Sequence, residues 1–172
     1  PVTEASLKES LDFIVGRLKN SLTDQGYRYD VVDAVLAEQQ NNPAGAIRAV
    51  KELNEWVNNA EWSTILPAYA RCVRITRDQK ITFSVDPANF EEVTEKALFA
   101  EIERVEKLER KSGSVEAFIQ AFKPMIPAVN QFFDAVLVMA EDEKVRANRL
   151  GLLQRISAFT RGIADFSCLE GF

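Results

Sequence analysis

Histidine is absent from this chain, and that absence excludes more chemistry than any other feature of its composition. Without an imidazole there is no Ser-His-Asp or Cys-His centre, no His-ligated zinc and no His general base. The Glu-x-x-His pairs of di-iron bundles are excluded on the same ground. Cysteine is scarce as well: Cys72 and Cys168 stand far apart and without companions, so no CxxC metal or redox motif exists. Two free, buried thiols in a reducing compartment are the expectation. The seven glycines are scattered, which leaves no GxxxxGK[ST] or GxGxxG phosphate loop. Long apolar runs are missing too. The longest, Ala135-Val136-Leu137-Val138-Met139-Ala140, suits a buried helix face and is far too short for a bilayer. No basic stretch followed by an apolar one marks a secretory signal. The chain opens Pro1-Val2-Thr3 without an initiator Met, which predicts a segment of a longer protein.

What is present reads as helix. Apolar residues make up 47% of 172 positions and charged residues 27%, with only six prolines: a globular balance with few turns. Ser6 to Glu9 has the form of a capping box, followed by Leu11, Ile14, Val15, Leu18 and Leu22 at spacings of three and four. Gly26 is placed to stop that helix in a left-handed conformation. Asp30 caps a short helix over 31–39, and Asn42-Pro43 opens a third that carries Ile47, Val50, Leu53, Trp56 and Val57 inward. A fourth runs over about 62–75 on Leu66, Tyr69, Cys72 and Val73, with Pro67 delaying or kinking its start. Residues 76–88 read as a loop that Asp86-Pro87 ends. A charged helix follows over about 92–111, facing Val93, Leu98, Ile102, Val105 and Leu108 inward. Ser112-Gly113-Ser114 turns and caps a helix over 115–122. Pro124 and Pro127 separate it from one reaching about Met139. The last begins at the acidic Glu141-Asp142-Glu143 and runs to about Asp165, burying Val145, Leu152, Ile156, Phe159, Ile163 and Phe166. The expectation is all-α: a single bundle of seven to eight helices, one domain over 1–172.

Carboxylates offer little catalytic promise. Glu91, Glu92 and Glu95, or Glu101 and Glu106, lie among Lys and Arg at helical spacing, the pattern of a solvated, salt-bridged face. Asp134 and Asp165, beside aromatic residues, fit capping or arginine pairing, for instance with Arg149. No catalytic residue and no metal ligand is assigned.

Basic charge is more informative. The net charge is −5, which argues at first against nucleic acid, yet its distribution is uneven. Residues 69–80 hold Arg71, Arg74, Arg77 and Lys80 against Asp78 alone. Residues 144–161 hold Lys144, Arg146, Arg149, Arg155 and Arg161 with no acid. Steps of three keep Arg71, Arg74 and Arg77 on one side of a helix, turned outward by the apolar residues between them. In the last helix Arg146 and Arg161 fall off the apolar stripe, and Arg149 and Arg155 flank it. An ordinary solvated face alternates in sign; these segments do not, and arginine's planar fork suits phosphates and base edges. Tyr69, Phe83 and Phe90 stand near the first cluster, as base-stacking or core residues.

Two long runs carry a resemblance. Phe132-Phe133-Asp134-Ala135-Val136-Leu137-Val138-Met139-Ala140-Glu141-Asp142 leads into Val145-Arg146-Ala147-Asn148-Arg149-Leu150-Gly151-Leu152-Leu153, and Ile163-Ala164-Asp165-Phe166-Ser167 closes the chain. Together they resemble the C-terminal region of the β subunit of bacterial-type glycyl-tRNA synthetase. Gly26 to Ala37 is similar to another stretch of that family, so the likeness extends from near Leu11 to Leu169. It implies an all-helical, DALR-type anticodon-binding domain, although the tetrapeptide behind that name is not present. It also implies tRNA-Gly as partner, together with the rest of the β subunit and the α subunit, in the cytoplasm or an organelle. The α subunit would carry out aminoacylation with ATP, glycine and magnesium, and this domain would hold no cofactor. Tyr69-Ala70-Arg71-Cys72-Val73-Arg74-Ile75 looks like the family's aromatic-Lys-Arg-Val-x-Asn-Ile helix. Ala70 stands at its Lys position, Arg74 at its Asn position, and Cys168 where a Lys is usual. Arg71, Arg74, Arg77 and Lys80 are the expected first RNA contact surface, and Arg146, Asn148 and Arg149 the second. The alternative is a helical protein-interaction module that docks on the rest of the synthetase.

Overall fold

The computed structural model describes residues 3–172; Pro1 and Val2, at the start of the chain, lie outside the described residues. Among the described residues there are eight α-helices and no strand. These are α1 (Glu4–Asp24), α2 (Tyr29–Gln39), α3 (Pro43–Val57), α4 (Trp62–Thr76), α5 (Val93–Lys107), α6 (Val115–Phe122), α7 (Ile126–Ala135) and α8 (Glu143–Ser157). Single 3-10 turns sit at Pro87–Asn89, Lys123–Met125, Ala158–Thr160 and Phe166–Cys168. The all-α expectation holds.

Local chemistry explains most helix ends. Gly26 adopts φ +91°; its N–H reaches the Thr23 carbonyl at 2.9 Å and that of Tyr27 reaches Leu22 at 3.3 Å. This paired closure needs a residue tolerant of positive φ. Asn42 caps α3 by accepting from the Gly45 N–H at 3.1 Å, with Pro43 in the first helical position. Ser114 accepts from the Ala117 N–H at 3.1 Å and Asp142 from Val145 at 3.0 Å. The α1 box lies three residues earlier than expected: Thr3 and Ser6 cap each other's backbone. Pro67 does not delay α4; it sits within that helix on the exposed side.

Two helices stop early for tertiary reasons. α7 ends at Ala135, and Val136 is extended at φ −122°, ψ 143°. Beyond it Val136 and Val138 are buried while Leu137 and Met139 are exposed, the alternation of an extended chain. The 135–140 run is therefore not a helix face. α8 ends at Ser157, and Phe159, Ile163 and Phe166 are buried from turns, each within its own unit, with Gly162 at φ +70°. Ile47, Val93 and Leu108, expected inside, are exposed; Ala46 and Ala49 line α3's buried stripe, and Val93 and Leu108 lie at the two ends of α5.

The contacts gather into two compact units. One takes the chain up to Trp62 with Arg110–Ala117 and Thr160–Phe172. Here α2 packs on α1 and α3 around Leu22, Val31, Val35, Val50 and Leu53, all fully buried. The returning segments are held by backbone bonds: Asp165 N–H donates to Ala34 O at 2.8 Å, and Gln39 Nε2 to Gly113 O and Ile163 O at 2.9 and 2.8 Å. Cys168, in this unit, is exposed, contrary to expectation; only Cys72 is a buried thiol.

Asp30 is not a cap but a first-turn carboxylate of α2, 1% exposed. Arg28 grips it with Nε and Nη2 at 3.0 and 2.6 Å, and the Glu170 and Val31 N–H groups donate to it at 2.9 and 3.0 Å. Burial pushes its pKa up, but these four donors outweigh burial and hold it below the ordinary carboxylate value.

The other unit takes Ser63–Glu109 and Phe118–Phe159. In it α5 packs on α7 and α8, over a core rich in aromatic rings. Tyr69 meets Phe118 and Phe122 edge-on at 5.6 and 5.8 Å. Cys72 is fully buried, and desolvation pushes its thiol up to about 12.

A group whose pKa is depressed on folding stabilises above its unfolded value, about 3.9 for Asp, and loses that contribution as pH falls through the folded value. Thermal melts should therefore fall from about pH 4 downward. In Asp30→Asn that slope should be shallower, and stability at pH 7 lower by roughly 1–3 kcal/mol. A D30N acid slope equal to the parent's would contradict this assignment.

Candidate nucleic-acid interface

The two basic segments meet different fates, and both belong largely to the second unit. In 144–161 two of the five positive charges, Arg149 and Arg155, are bound to carboxylates of other segments. Arg149 is 6% exposed. Its Nε donates to Glu95 Oε1 at 2.8 Å, its Nη2 to Glu91 Oε2 at 3.2 Å, and its Nη1 to Leu137 O at 3.0 Å. Glu95 is 0% exposed, and its other oxygen accepts from the Glu91 and Glu92 N–H groups, both at 2.7 Å. Each guanidinium nitrogen and each Glu95 oxygen of this buried pair has a partner, the condition for tolerating charge out of water. Glu95 is thus no member of a solvated face, and Arg149's partners are Glu95 and Glu91, not Asp134 or Asp165. Asp165 instead caps the last 3-10 turn through the Ser167 N–H at 3.0 Å.

Arg155 holds Glu106 through Nε at 2.9 Å and through Nη2, above the Phe99 ring at 5.0 Å. Arg146 is half-buried, donates to Ala140 O at 2.9 Å, and lies 3.7 Å from Glu143. Lys144 is exposed, and Arg161 is exposed in a turn of the other unit. Of the second expected contact surface, Asn148 and Arg149 are buried scaffolding and Arg146 alone reaches solvent.

Asn148 and Gln154, on the same side of α8, have a role that no sequence pattern signals. Asn148 Oδ1 accepts from the Asp86 N–H at 2.7 Å while its Nδ2 donates to Asp86 O at 3.1 Å. Gln154 repeats the pattern on Phe83 N–H at 2.9 Å and Ile81 O at 2.8 Å. The two amides straddle Gly151 and lash the 81–86 segment flat along α8. A Cβ on Gly151 would lie 2.9 Å from Val85 Cγ2 and 3.0 Å from Phe83 O, so only glycine permits this approach.

The 69–80 segment is exposed where it is charged. α4 turns Leu66, Tyr69 and Cys72 into the core, which leaves Arg71 and Arg74 outside. Arg77 and Lys80 follow in the loop, both exposed. The Arg77–Asp78 contact, 4.0 Å between two exposed groups, neutralises little. Of the three aromatic candidates, Tyr69 is core, with its hydroxyl donating to Ser157 O at 2.9 Å. Phe83 and Phe90 are half-buried, the latter against Phe99 at 5.4 Å. The ring that does meet the basic surface is Phe133 of α7, 4.2 Å beneath the Arg71 guanidinium. No sequence spacing links positions 71 and 133; only the packing of this unit does.

An all-helical chain with one outward cationic helix face has the makings of an RNA-binding domain, and sequence comparison gives the class. The profile described as DALR anticodon binding domain matches residues 65–162. The chain belongs to that family. Its relatives include the glycine--tRNA ligase beta subunit of Geotalea daltonii, 35% identical over 96% of this chain and 24% of that protein. That of Lacticaseibacillus casei is 33% identical over 90% and 22%. Glycine--tRNA ligase, chloroplastic/mitochondrial 2, of Arabidopsis thaliana is 32% identical over 97% and 16%. The chain thus spans less than a quarter of the length of these relatives.

Two substitutions probe the scaffold. Arg149→Leu strands the buried Glu95 carboxylate and should cost roughly 3–5 kcal/mol in urea unfolding, whereas Arg155→Leu, with a more exposed pair, should cost far less. Gly151→Ala gains helix propensity of about 1 kcal/mol, yet the clash with the Val85 side chain and the Phe83 carbonyl should reverse the sign. Net destabilisation with faster amide exchange at 83–86 is the expected outcome.

Proposed function

We propose that this chain serves as the anticodon-binding domain of a glycine--tRNA ligase β subunit and grips the anticodon region of tRNA-Gly. The observation that carries the proposal is the outward cationic strip Arg71, Arg74, Arg77 and Lys80, within the segment that the family profile covers. Phosphate contacts from these side chains position the RNA, and guanidinium forks and aromatic faces engage unpaired loop bases. Arg146 of α8, half-buried, offers a further cationic contact. Asn148 and Arg149 contribute by holding this unit in shape. Glycine ligation, with its ATP and magnesium, takes place elsewhere in the parent enzyme, on the α subunit. The compartment is that of translation, cytoplasm or organelle.

A second reading, docking on the remainder of the β subunit, has its own support. Leu7, Phe13 and Ile14 of α1 are exposed, Phe13 by 65%, and apolar side chains gathered on one helix suit a protein partner. The two roles are compatible in one appended domain. No described helix is long and apolar enough to cross a membrane.

Titration of a glycine anticodon stem-loop RNA at two salt concentrations tests the primary proposal. Affinity should fall steeply with salt, by a log–log slope of roughly 0.7–0.9 per phosphate contact. Charge reversal at Arg71 and Arg74 should abolish most binding. Reversal at Arg104 and Lys107, which pair with Glu101 and Glu103, should do far less. Equal effects would place the RNA elsewhere.

A further inference from the structure

Arg71 and Arg155 of the second unit each lie over an aromatic ring of an α-helix. Arg155 covers Phe99 but spends its fork on Glu106. Arg71 covers Phe133 more closely, at 4.2 Å, is exposed, and has no acidic partner among the described residues. The ring below it is fixed: Phe133 is half-buried and meets the fully buried Phe132 edge-on at 5.6 Å. A planar cation pinned on one face by an anchored ring keeps its other face and its N–H edge toward solvent. Flat cations and rings of this kind stack on nucleobases with little regard to sequence.

We infer that the Arg71–Phe133 pair is a stacking platform for a single unpaired nucleobase, with Arg74, Arg77 and Lys80 holding the flanking phosphates. This rests on the anticodon-binding proposal and adds a base site to its electrostatic surface. Arg71 then acts as a plane, not merely as a charge. Phe133 acts through it: the ring fixes the guanidinium parallel to the incoming base, so the ordering cost is met before RNA arrives.

Arg71→Lys separates plane from charge, and Phe133→Leu removes the ring while keeping an apolar side chain. Each should lower affinity for the glycine anticodon stem-loop roughly tenfold, the weight of about one stacked base, with the salt slope unchanged. The double substitution should cost no more than either alone. A series of stem-loops, each with one abasic loop nucleotide, completes the test. One abasic position should cost the parent chain about tenfold and cost R71K nothing further. Thermal melts separate a folding defect of F133L from lost stacking, and R71K, at an exposed position, stands as an independent arm. If R71K and F133L bind like the parent while the R71E/R74E pair fails, the platform falls and the charged surface stands. If abasic penalties are the same in R71K and parent, Arg71 contacts phosphate and the platform falls again. No binding by the unsubstituted chain at low salt overturns the anticodon reading itself.

Discussion

A single guanidinium, that of Arg149, ties together three segments of the second unit. From α8 it reaches Glu95 near the start of α5, Glu91 just before α5, and the Leu137 carbonyl beyond α7. The Glu95 carboxylate returns the favour by closing the first turn of α5 through two backbone N–H groups. Neither charge has a route to water, so their positions are set jointly and within hydrogen-bonding tolerance. The Leu137 carbonyl, two residues past the end of α7, is held by that guanidinium. That bond and the burial of Val136 and Val138 hold the extended, alternating 136–139 segment in place.

The same helix controls the loop after α4. Asn148, Gly151 and Gln154 lie three residues apart, hence along one side of α8, and the 81–86 backbone lies on them. Two side-chain amides substitute for the neighbouring strand this isolated extended segment lacks. α8 thus works as a spine: Arg149 secures the acidic start of α5, and the amides secure the loop that follows the basic strip. Positive charge that looked available for RNA is used to build the frame, and the exposed cationic surface is left to α4 and its loop. Net charge remains acidic while a small region is strongly basic, which suits selective, salt-sensitive contact with a polyanion.

Much of the fold was readable because its signals are local. Gly26, Asn42-Pro43, Ser114 and Asp142 terminate or start helices through bonds to neighbours within a few residues, and α6 has the expected limits. Where local signals competed, tertiary contacts decided. Asp30 has the sequence context of a cap, but Arg28 and the Glu170 N–H drew it into a buried pair. The 135–140 run has helical propensity, yet its valines alternate inward along an extended chain. Cys168 was expected inside and is exposed.

By itself the sequence determined the all-helical class, the missing chemistry of a chain without histidine, the resemblance to a tRNA-binding family, and the place of the basic residues along the chain. Only the tertiary structure decided which of those residues face solvent. Arg71 and Arg149 look equivalent as arginines set beside the apolar stripe of a helix. A helix face predicts direction relative to its own core stripe, but not whether a second helix will bring Glu95 to one arginine or Phe133 to the other. Pairing across tens of residues has no period to read, and it is that pairing which turned Arg149 into scaffold and left Arg71 as a surface.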